Sequence, residues 1–426
     1  MKKLWQRLFL VERPSIGLSF FRIFAALTTA LHVIPSFFHL DDNYFPTAFK
    51  ELNTNFFPVD FLIFIQKSPE SVIILFVILF CASCFCFLIG LLSQLSCIVM
   101  TVCCYYFYAL NSMQIGTLSW DILLVTLFLM CLIPYHGDYF SVDALYSCDP
   151  APYKRRRPYF MQRLLQIQIA STFFYTALYK ITAHGNWLSD NPIFYLMNNP
   201  PSGVVKNFLF RDLLATRPEL CYGIGIFIVA VEFTIGFFWF TERTRVSAIY
   251  AGFLFHIMLI LTLDVPAIFF FLFPVQMLLF INPEHLLRWI EMKRRYHECA
   301  PRAKIVYDGH CGFCRESVRK LKVMDLWGTL EYVDFQSHAD LSSVHPQLTK
   351  EEAATEVYLI EPDGSLYGGF FVFQRLCLTL PMMYPAALIM YFPGAGIIGP
   401  MVYRFVAAHR YLFPVNKKCQ DNTCVR

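Results

Sequence analysis

Charge is what this sequence has least of. Of its 426 residues 15% are Asp, Glu, Lys or Arg, where soluble domains carry about 25%. That deficit argues against an ordinary soluble globular chain before any segment is inspected. A strong excess of either sign is also missing. The net charge is +4, and Lys and Arg come in short clusters between apolar runs, which reads as membrane flanking and leaves no nucleic-acid footprint. No small-residue cleavage site follows the basic Met1–Glu12 segment and the first apolar stretch. That stretch therefore reads as a retained helix and not as a removed signal peptide. There is no internal repeat and no matched pair of Gly/Pro-interrupted half-helices, which argues against a transporter.

What the chain does have is apolar sequence, 57% of residues. Runs of about 20 residues suited to crossing a bilayer fall near 15–36, 71–91, 93–112, 118–136, 159–180, 220–240, 246–263 and 266–282, the last two joined by the short Asp264-Val265-Pro266 connection. Residues 41–66 suit an interfacial helix. If Lys2, Lys3 and Arg7 are cytoplasmic, eight spans put Lys154 to Arg157, Arg243 with Arg245, and Lys293 to Arg295 on that same side. Seven spans would break this agreement with the positive-inside rule. The expectation is a polytopic α-helical membrane bundle of about eight spans, in a bacterial inner membrane with both termini cytoplasmic.

None of the 15 cysteines lies in the expected outer loops 37–70, 113–117 and 181–219, where an oxidising compartment would favour disulfides. Seven lie in spans two to four: Cys81, Cys84, Cys86, Cys97, Cys103, Cys104 and Cys131. They read as small apolar fillers of helix packing. From Arg302 the character changes to α/β. Lys304 to Asp308 and Leu330 to Phe335 read as strands, and Cys311 to Asp325 as a helix. Glu356 to Glu361 with Ser365 to Phe370 read as a hairpin over Pro362-Asp363-Gly364, with helices at 371–380 and about 396–410. The stretch 377–403, broken by Pro381, Pro385, Pro393, Gly394 and Gly396, reads as buried or interfacial and not as a ninth span. The domains are thus 1–290, a basic linker 291–302, and 303–426.

The sharpest motif is Tyr307-Asp308-Gly309-His310-Cys311-Gly312-Phe313-Cys314. Cysteine at the first positions of a helix meets free N–H groups and the helix dipole, which stabilise a thiolate. The i, i+3 spacing lets the second sulfur close a disulfide. The competing reading is half a zinc site completed by Cys419 and Cys424, whose C-x4-C spacing suits zinc poorly. The motif resembles the D-x-x-C-x-x-C signature of the DCC thiol-disulfide oxidoreductase family, as do Tyr367-Gly368-Gly369, Leu380-Pro381 and the segment from Val402-Tyr403-Arg404-Phe405 through His409-Arg410-Tyr411. The resemblance implies a thioredoxin-like fold with protein-disulfide reductase-like activity, Cys311 attacking and Cys314 resolving. A thiol protein or small-thiol reductant would be the partner. No proline directly precedes the strand near Glu356, where the wider thioredoxin pattern places one.

Ionisable residues within spans are expensive and mark candidate sites: Arg22, His32, Asp121, Lys180, Glu232 and His256. An internal lock such as Arg22 with Glu232 is the structural alternative, and His32 reads as a hydrogen bonder. Arg163 to Ile169, Phe174 to Lys180, Trp187, Tyr139 to Leu145 and Phe255-His256-Ile257-Met258 together resemble the vitamin K-dependent gamma-glutamyl carboxylases. Those enzymes share their membrane domain with the horizontally transferred transmembrane (HTTM) proteins. The resemblance implies Lys180 as the base that deprotonates a vitamin K-like hydroquinone and His256 as part of the active centre; interfacial snorkelling is the alternative for Lys180. Asp121, Trp187 and Glu232 are further candidate cofactor-binding residues, Asp121 alternatively a cap or anchor of the outer helix end. The carboxylases' Asn-His pair is replaced here by Ser119-Trp120-Asp121, and their lumenal propeptide-binding domain has no counterpart in the resemblance. The expectation is a membrane oxidoreductase with a quinone-like or other apolar substrate. The alternative is a non-catalytic lipid- or partner-binding membrane protein with a redox-sensing tail. Lys180 is expected toward the outer face and Cys311 in the cytoplasm, a full span of roughly 30 Å apart, so direct handover between them is not expected.

Overall fold

The computed structural model describes residues 9–52, 54–115, 118–147, 155–182, 186–198, 206, 210–264, 267–338 and 340–410. Lys2, Lys3, Arg7, Lys154, Val265, Pro266, Tyr411, Cys419 and Cys424, all used in the sequence argument, lie outside the described residues. The chain divides into two compact units, one of 1–137 with 156–282 and the other of 138–155 with 283–426.

The first unit is helical. Its main helices are α1 (Ile16–Val33), α2 (Val59–Gln66), α3 (Glu70–Ile89), α4 (Ser93–Leu110), α5 (Leu118–Cys131), α6 (Phe160–Ile181), α7 (Pro218–Phe240), α8 (Arg245–Thr262) and α9 (Ala267–Met277). A short antiparallel ladder of β1 (Glu12–Pro14) and β2 (Arg156–Pro158) brings the entry to α1 beside the entry to α6. Gly90 stops α3: at φ 70 it takes the left-handed conformation open to glycine, and the Leu91 N–H turns back to the Cys86 carbonyl at 2.8 Å. The core is aromatic and aliphatic, with Phe21, Phe80, Phe107, Trp120, Leu127 and Trp239 fully buried.

Among the described residues five stretches are each long and apolar enough to cross a membrane: Ile16–Asn43, Glu70–Ile89, Ser93–Leu110, Pro218–Phe240 and Arg245–Thr262. The other three expected spans correspond to α5, α6 and α9, and each differs for a physical reason. Helix α5 has 14 residues, and α9 has 11 before a 3₁₀ turn at Leu278–Phe280. Helix α6 has 22 residues but carries Gln162, Arg163, Gln166, Gln168 and Lys180. Its polar face is satisfied inside the unit. Gln162 and Gln166 Nε2 donate to the Leu279 carbonyl at 2.6 and 2.7 Å, Arg163 donates to Gln166 Oε1 at 2.8 Å, and Thr126 Oγ1 donates to Gln168 Oε1 at 3.0 Å. Polar groups in an apolar bundle persist only when paired in this way.

The second unit holds a four-stranded sheet in the order β4-β3-β5-β6. Strand β3 (Ala303–Tyr307) runs parallel to β4 (Leu330–Asp334) and antiparallel to β5 (Tyr358–Ile360), which pairs with β6 (Leu366–Gly368). Helix α10 (Pro283–Cys299) precedes the sheet, so most of the expected linker 291–302 is helical. Helix α11 (Gly312–Met324) crosses from β3 to β4, and α12 (Lys350–Thr355) leads into β5. After β6 come α13 (Phe370–Thr379), α14 (Tyr384–Met390) and α15 (Ala395–Ala408). Helix α13 and the helix from Pro381 to Met390 are bent by 110° at their junction. The two sheet faces bury separate clusters: Ile305, Leu321, Leu359 and Val372 in one, Val306, Phe335, Leu341 and Ile360 in the other.

Residues 138–155 belong to this second unit although their motif falls in the 1–290 region. Arg319 of α11 donates to the carbonyls of Ser147 and Leu145, the latter at 2.5 Å, and Lys320 sits 4.7 Å over the Tyr146 ring. Buried Asp325 closes the turn after α11. Its carboxylate accepts from Thr329 N–H at 2.8 Å, Thr329 Oγ1 at 2.9 Å and Leu330 N–H at 3.0 Å. An Asp325→Ala variant strands the buried Leu330 amide and should destabilise this unit by about 2 kcal/mol. Limited proteolysis of the whole chain reads that as faster cleavage within 283–410 and an unchanged rate within the first unit.

Candidate functional sites

The Cys311 site is built by a turn that two carboxylates hold. Asp308 Oδ1 accepts from the His310 N–H at 3.0 Å and from Gln336 Nε2 at 3.1 Å. Asp334, the last residue of β4, accepts from the Gly309 N–H at 2.9 Å and the Gln336 N–H at 3.0 Å. A Cβ on Gly309 would run into the Asp334 carboxylate, so this close approach requires glycine. The turn delivers Cys311 to the N-cap of α11, with φ −79 and ψ 116, where its Sγ accepts from the Cys314 N–H at 3.4 Å. A sulfur in that position receives both an unpaired helix donor and the positive end of the helix dipole.

Cys311 and Cys314 are both free thiols. Cys311 is 4% exposed, and Cys314 lines a cavity of about 70 Å3 together with Phe313, Glu356, Tyr403 and Arg410. Burial pushes the Cys314 thiol up to about 12, and the hydrogen bond and charge of neighbouring Cys311 push the same way. Cys314 is therefore protonated at neutral pH. The family-like glycines and tyrosine acquire a reason here. A Cβ on Gly369 (φ +58) would meet the Glu356 carboxylate at 2.5 Å and the Tyr403 ring at 3.1 Å, and the Tyr403 hydroxyl accepts from the Val357 N–H at 3.1 Å. Burial raises Tyr403 to about 12, which keeps that hydroxyl intact. Glu356 and Val357 hold the position ahead of β5 where the sequence lacks a proline. Asp334, Gln336 and Glu356 escaped the sequence reading, because isolated acids and amides at strand ends carry no motif. Among the described residues no group of three or more His, Cys, Asp or Glu is placed to hold a metal ion.

In the first unit Lys180, Glu232 and His256 line one cavity of about 310 Å3, otherwise walled by residues such as Ile169, Phe173, Leu259 and Phe273, with Gln276 as a further polar group. Lys180 Nζ donates to both Glu232 oxygens at 2.5 Å, and the two side chains are 15% and 8% exposed. The partner of Glu232 is thus Lys180 and not Arg22, which is fully buried in α1. Trp187 places its ring 4.7 Å from Lys180 Nζ and donates its backbone N–H to the Lys180 carbonyl at 3.0 Å. His256 donates from Nδ1 to the Gly252 carbonyl at 2.8 Å and stacks on Phe273 with centroids 3.9 Å apart. In the neutral ring that leaves Nε2 as the acceptor nitrogen. Asp121 does not line this cavity. It accepts from Asn55 Nδ2 at 3.4 Å, whereas its neighbour Ile122 does line the cavity. His32 meets the Ile115 carbonyl at 3.0 Å, as a hydrogen bonder.

The pair joins α6 to α7 by two short contacts, so it is first a lock between them. Lys180→Met leaves Glu232 buried without its cation and should cost about 3–5 kcal/mol. Thermal unfolding in detergent should then show the double variant Lys180→Met/Glu232→Leu recovering much of that loss.

Two family models match the chain. Residues 305–415 match the DCC1-like thiol-disulfide oxidoreductase model, which assigns the redox class to the segment containing Cys311 and Cys314. No curated protein and no solved structure matches significantly. Residues 12–285 match the HTTM domain model, and since that is more than half of its length, this membrane protein belongs to the HTTM domain family.

Proposed function

We propose that the protein is an integral membrane oxidoreductase that exchanges thiols with disulfides through Cys311 and Cys314, and binds an apolar redox substrate of the quinone class in the Lys180 cavity. The observation that carries this reading is the asymmetry of the cysteine pair. Cys311 Sγ sits at the N-cap of α11 and accepts from the Cys314 N–H, while burial holds Cys314 as a thiol. Cys311 attacks a substrate disulfide, one sulfur leaves as a thiolate, and a mixed disulfide forms. Cys314 then loses its proton and attacks Cys311, releasing the second substrate sulfur. Two electrons have passed from the pair to the substrate, and a dithiol or small thiol restores the pair.

For the membrane unit, the cavity volume lies at the lower end of the range for small-molecule sites, and its walls suit a flat ring with hydroxyl groups. Moving a proton from Lys180 to Glu232 along their 2.5 Å contact leaves the neutral amine that general-base chemistry needs. Lys180 then takes the proton of a bound hydroquinone, and His256 Nε2 offers a second acceptor. Eight crossings with both termini cytoplasmic are supported by the common side of the basic clusters and by α6, which at about 1.5 Å per residue is long enough to span.

The closed Lys180–Glu232 pair favours a second reading, a non-catalytic membrane unit with a redox-sensing tail. Two experiments separate them. A Cys314→Ser variant should accumulate reductant-sensitive mixed disulfides through Cys311, and Cys311→Ser should accumulate none; equal, negligible trapping in both would defeat the thiol mechanism. Glu232→Gln should lower hydroquinone-dependent turnover in membranes by at least tenfold while the fold survives. An unchanged rate there would leave the membrane unit as a lock.

A further inference from the structure

A second pair of thiols lies inside the first unit, away from the Lys180 cavity. Cys97 is in the first turns of α4 and Cys131 is the last residue of α5, with their Sγ atoms 3.9 Å apart. A disulfide needs about 2.05 Å, a closure that small side-chain rotations at two helix ends can supply. The sulfurs sit in a small polar nest. Cys131 Sγ donates to Thr101 Oγ1 at 3.3 Å, Thr101 donates to the Cys97 carbonyl at 2.7 Å, and Gln94 donates to the Cys131 carbonyl. The two thiols differ in access: Cys97 is fully buried, while Cys131 is half-buried and opens on a cavity of about 780 Å3. That cavity is lined by Phe57, Phe61, Tyr105, Tyr106 and Phe128, with Thr101 and Cys131 also in its wall. Val102 and Phe128 on its rim are 54% exposed on the outer surface of the helices, where a lipid-dissolved molecule would enter. An aromatic cavity with one thiol of a close pair in its wall suits a flat, electron-accepting ring that carries an apolar tail.

We propose that Cys97 and Cys131 form a redox-active dithiol that reduces a membrane-soluble quinone bound in this cavity. Cys131, facing the ring, delivers the electrons. Cys97 closes the S–S bond onto it, and the electron pair released goes to the quinone. The two thiol protons end on the two quinone oxygens, so one dithiol and one quinone become one disulfide and one hydroquinone. A dithiol donor regenerates the pair by thiol–disulfide exchange. This site stands on its own geometry and not on the roles proposed for Lys180 or Cys311.

The test uses the full chain with Cys311→Ser and Cys314→Ser, reduced, freed of reductant and held without oxygen in lipid nanodiscs. Duroquinone is the probe, because its fully substituted ring resists adduct formation with thiols. The expected result is one hydroquinone formed per chain, two thiols lost, and a Cys97–Cys131 linked peptide by mass spectrometry. Cys131→Ser should reduce hydroquinone yield at least tenfold. Val102→Trp, which fills the cavity mouth, should slow oxidation by duroquinone at least tenfold yet leave cross-linking by the small oxidant diamide unchanged. The proposal is overturned if neither oxidant links Cys97 to Cys131, if the linkage forms between other cysteines, or if Val102→Trp leaves the duroquinone rate intact.

Discussion

Lys180 and Glu232 meet at 2.5 Å in an apolar bundle, and the packing of the helices around them follows from keeping that contact closed. Helices α6 and α7 must approach closely for it to form. They do so where Gly236, one turn beyond Glu232, faces Ala170: a Cβ on that glycine would lie 3.2 Å from the Ala170 Cβ and carbonyl oxygen. Small residues at a helix interface allow such an approach in a lipid setting, where there is no hydrophobic drive between helices. The glutamines of α6 extend the same logic, anchoring the helix to the Leu279 carbonyl. The cavity then exists because these pairings fix the helices while Phe173, Phe273 and His256 pack edge to face or stack and leave space beside the ion pair.

The second unit answers to a different constraint, the aim of one sulfur at a helix N-terminus. Asp308 and Asp334 set the turn, Gly309 lets the Asp334 carboxylate come close, and Cys311 arrives at the N-cap as a consequence. Cys314, one turn inside the helix, cannot share that environment, so two cysteines three residues apart are chemically distinct. Gly369 and Tyr403 serve the wall opposite, holding the strand start at Val357 against the cavity.

Local pattern made the second unit legible in the sequence. Strand Lys304 to Asp308 is observed as Ala303–Tyr307, and helix Cys311 to Asp325 as Gly312–Met324, because turn residues and apolar periodicity act over a few positions. The placement of Cys311 at a strand-to-helix turn came from the same local signals. What was not legible depends on rotation and distance. Glu232 lies 52 residues from Lys180, and charge alone suggested Arg22 as its partner. Only the facing of α6 and α7 selects Lys180. Residues 138–155 join the second unit through carbonyls accepting from Arg319, 172 and 174 residues away, and a main-chain acceptor leaves no mark in sequence. The intramembrane cysteines read as fillers for the same reason, since nothing in the spacing of Cys97 and Cys131 shows two sulfurs side by side.

The central claim is that Cys311 and Cys314 cycle as a two-electron couple in the intact membrane protein. The most direct measurement is a redox titration of the whole chain in nanodiscs against dithiol buffers, with the state of the two cysteines read by differential alkylation. The account predicts loss of both thiols together, with the dithiol-to-disulfide ratio changing tenfold for about every 30 mV, as a two-electron couple requires. Thiols that stay reduced across the whole range, or that copurify with one zinc per chain, would contradict it.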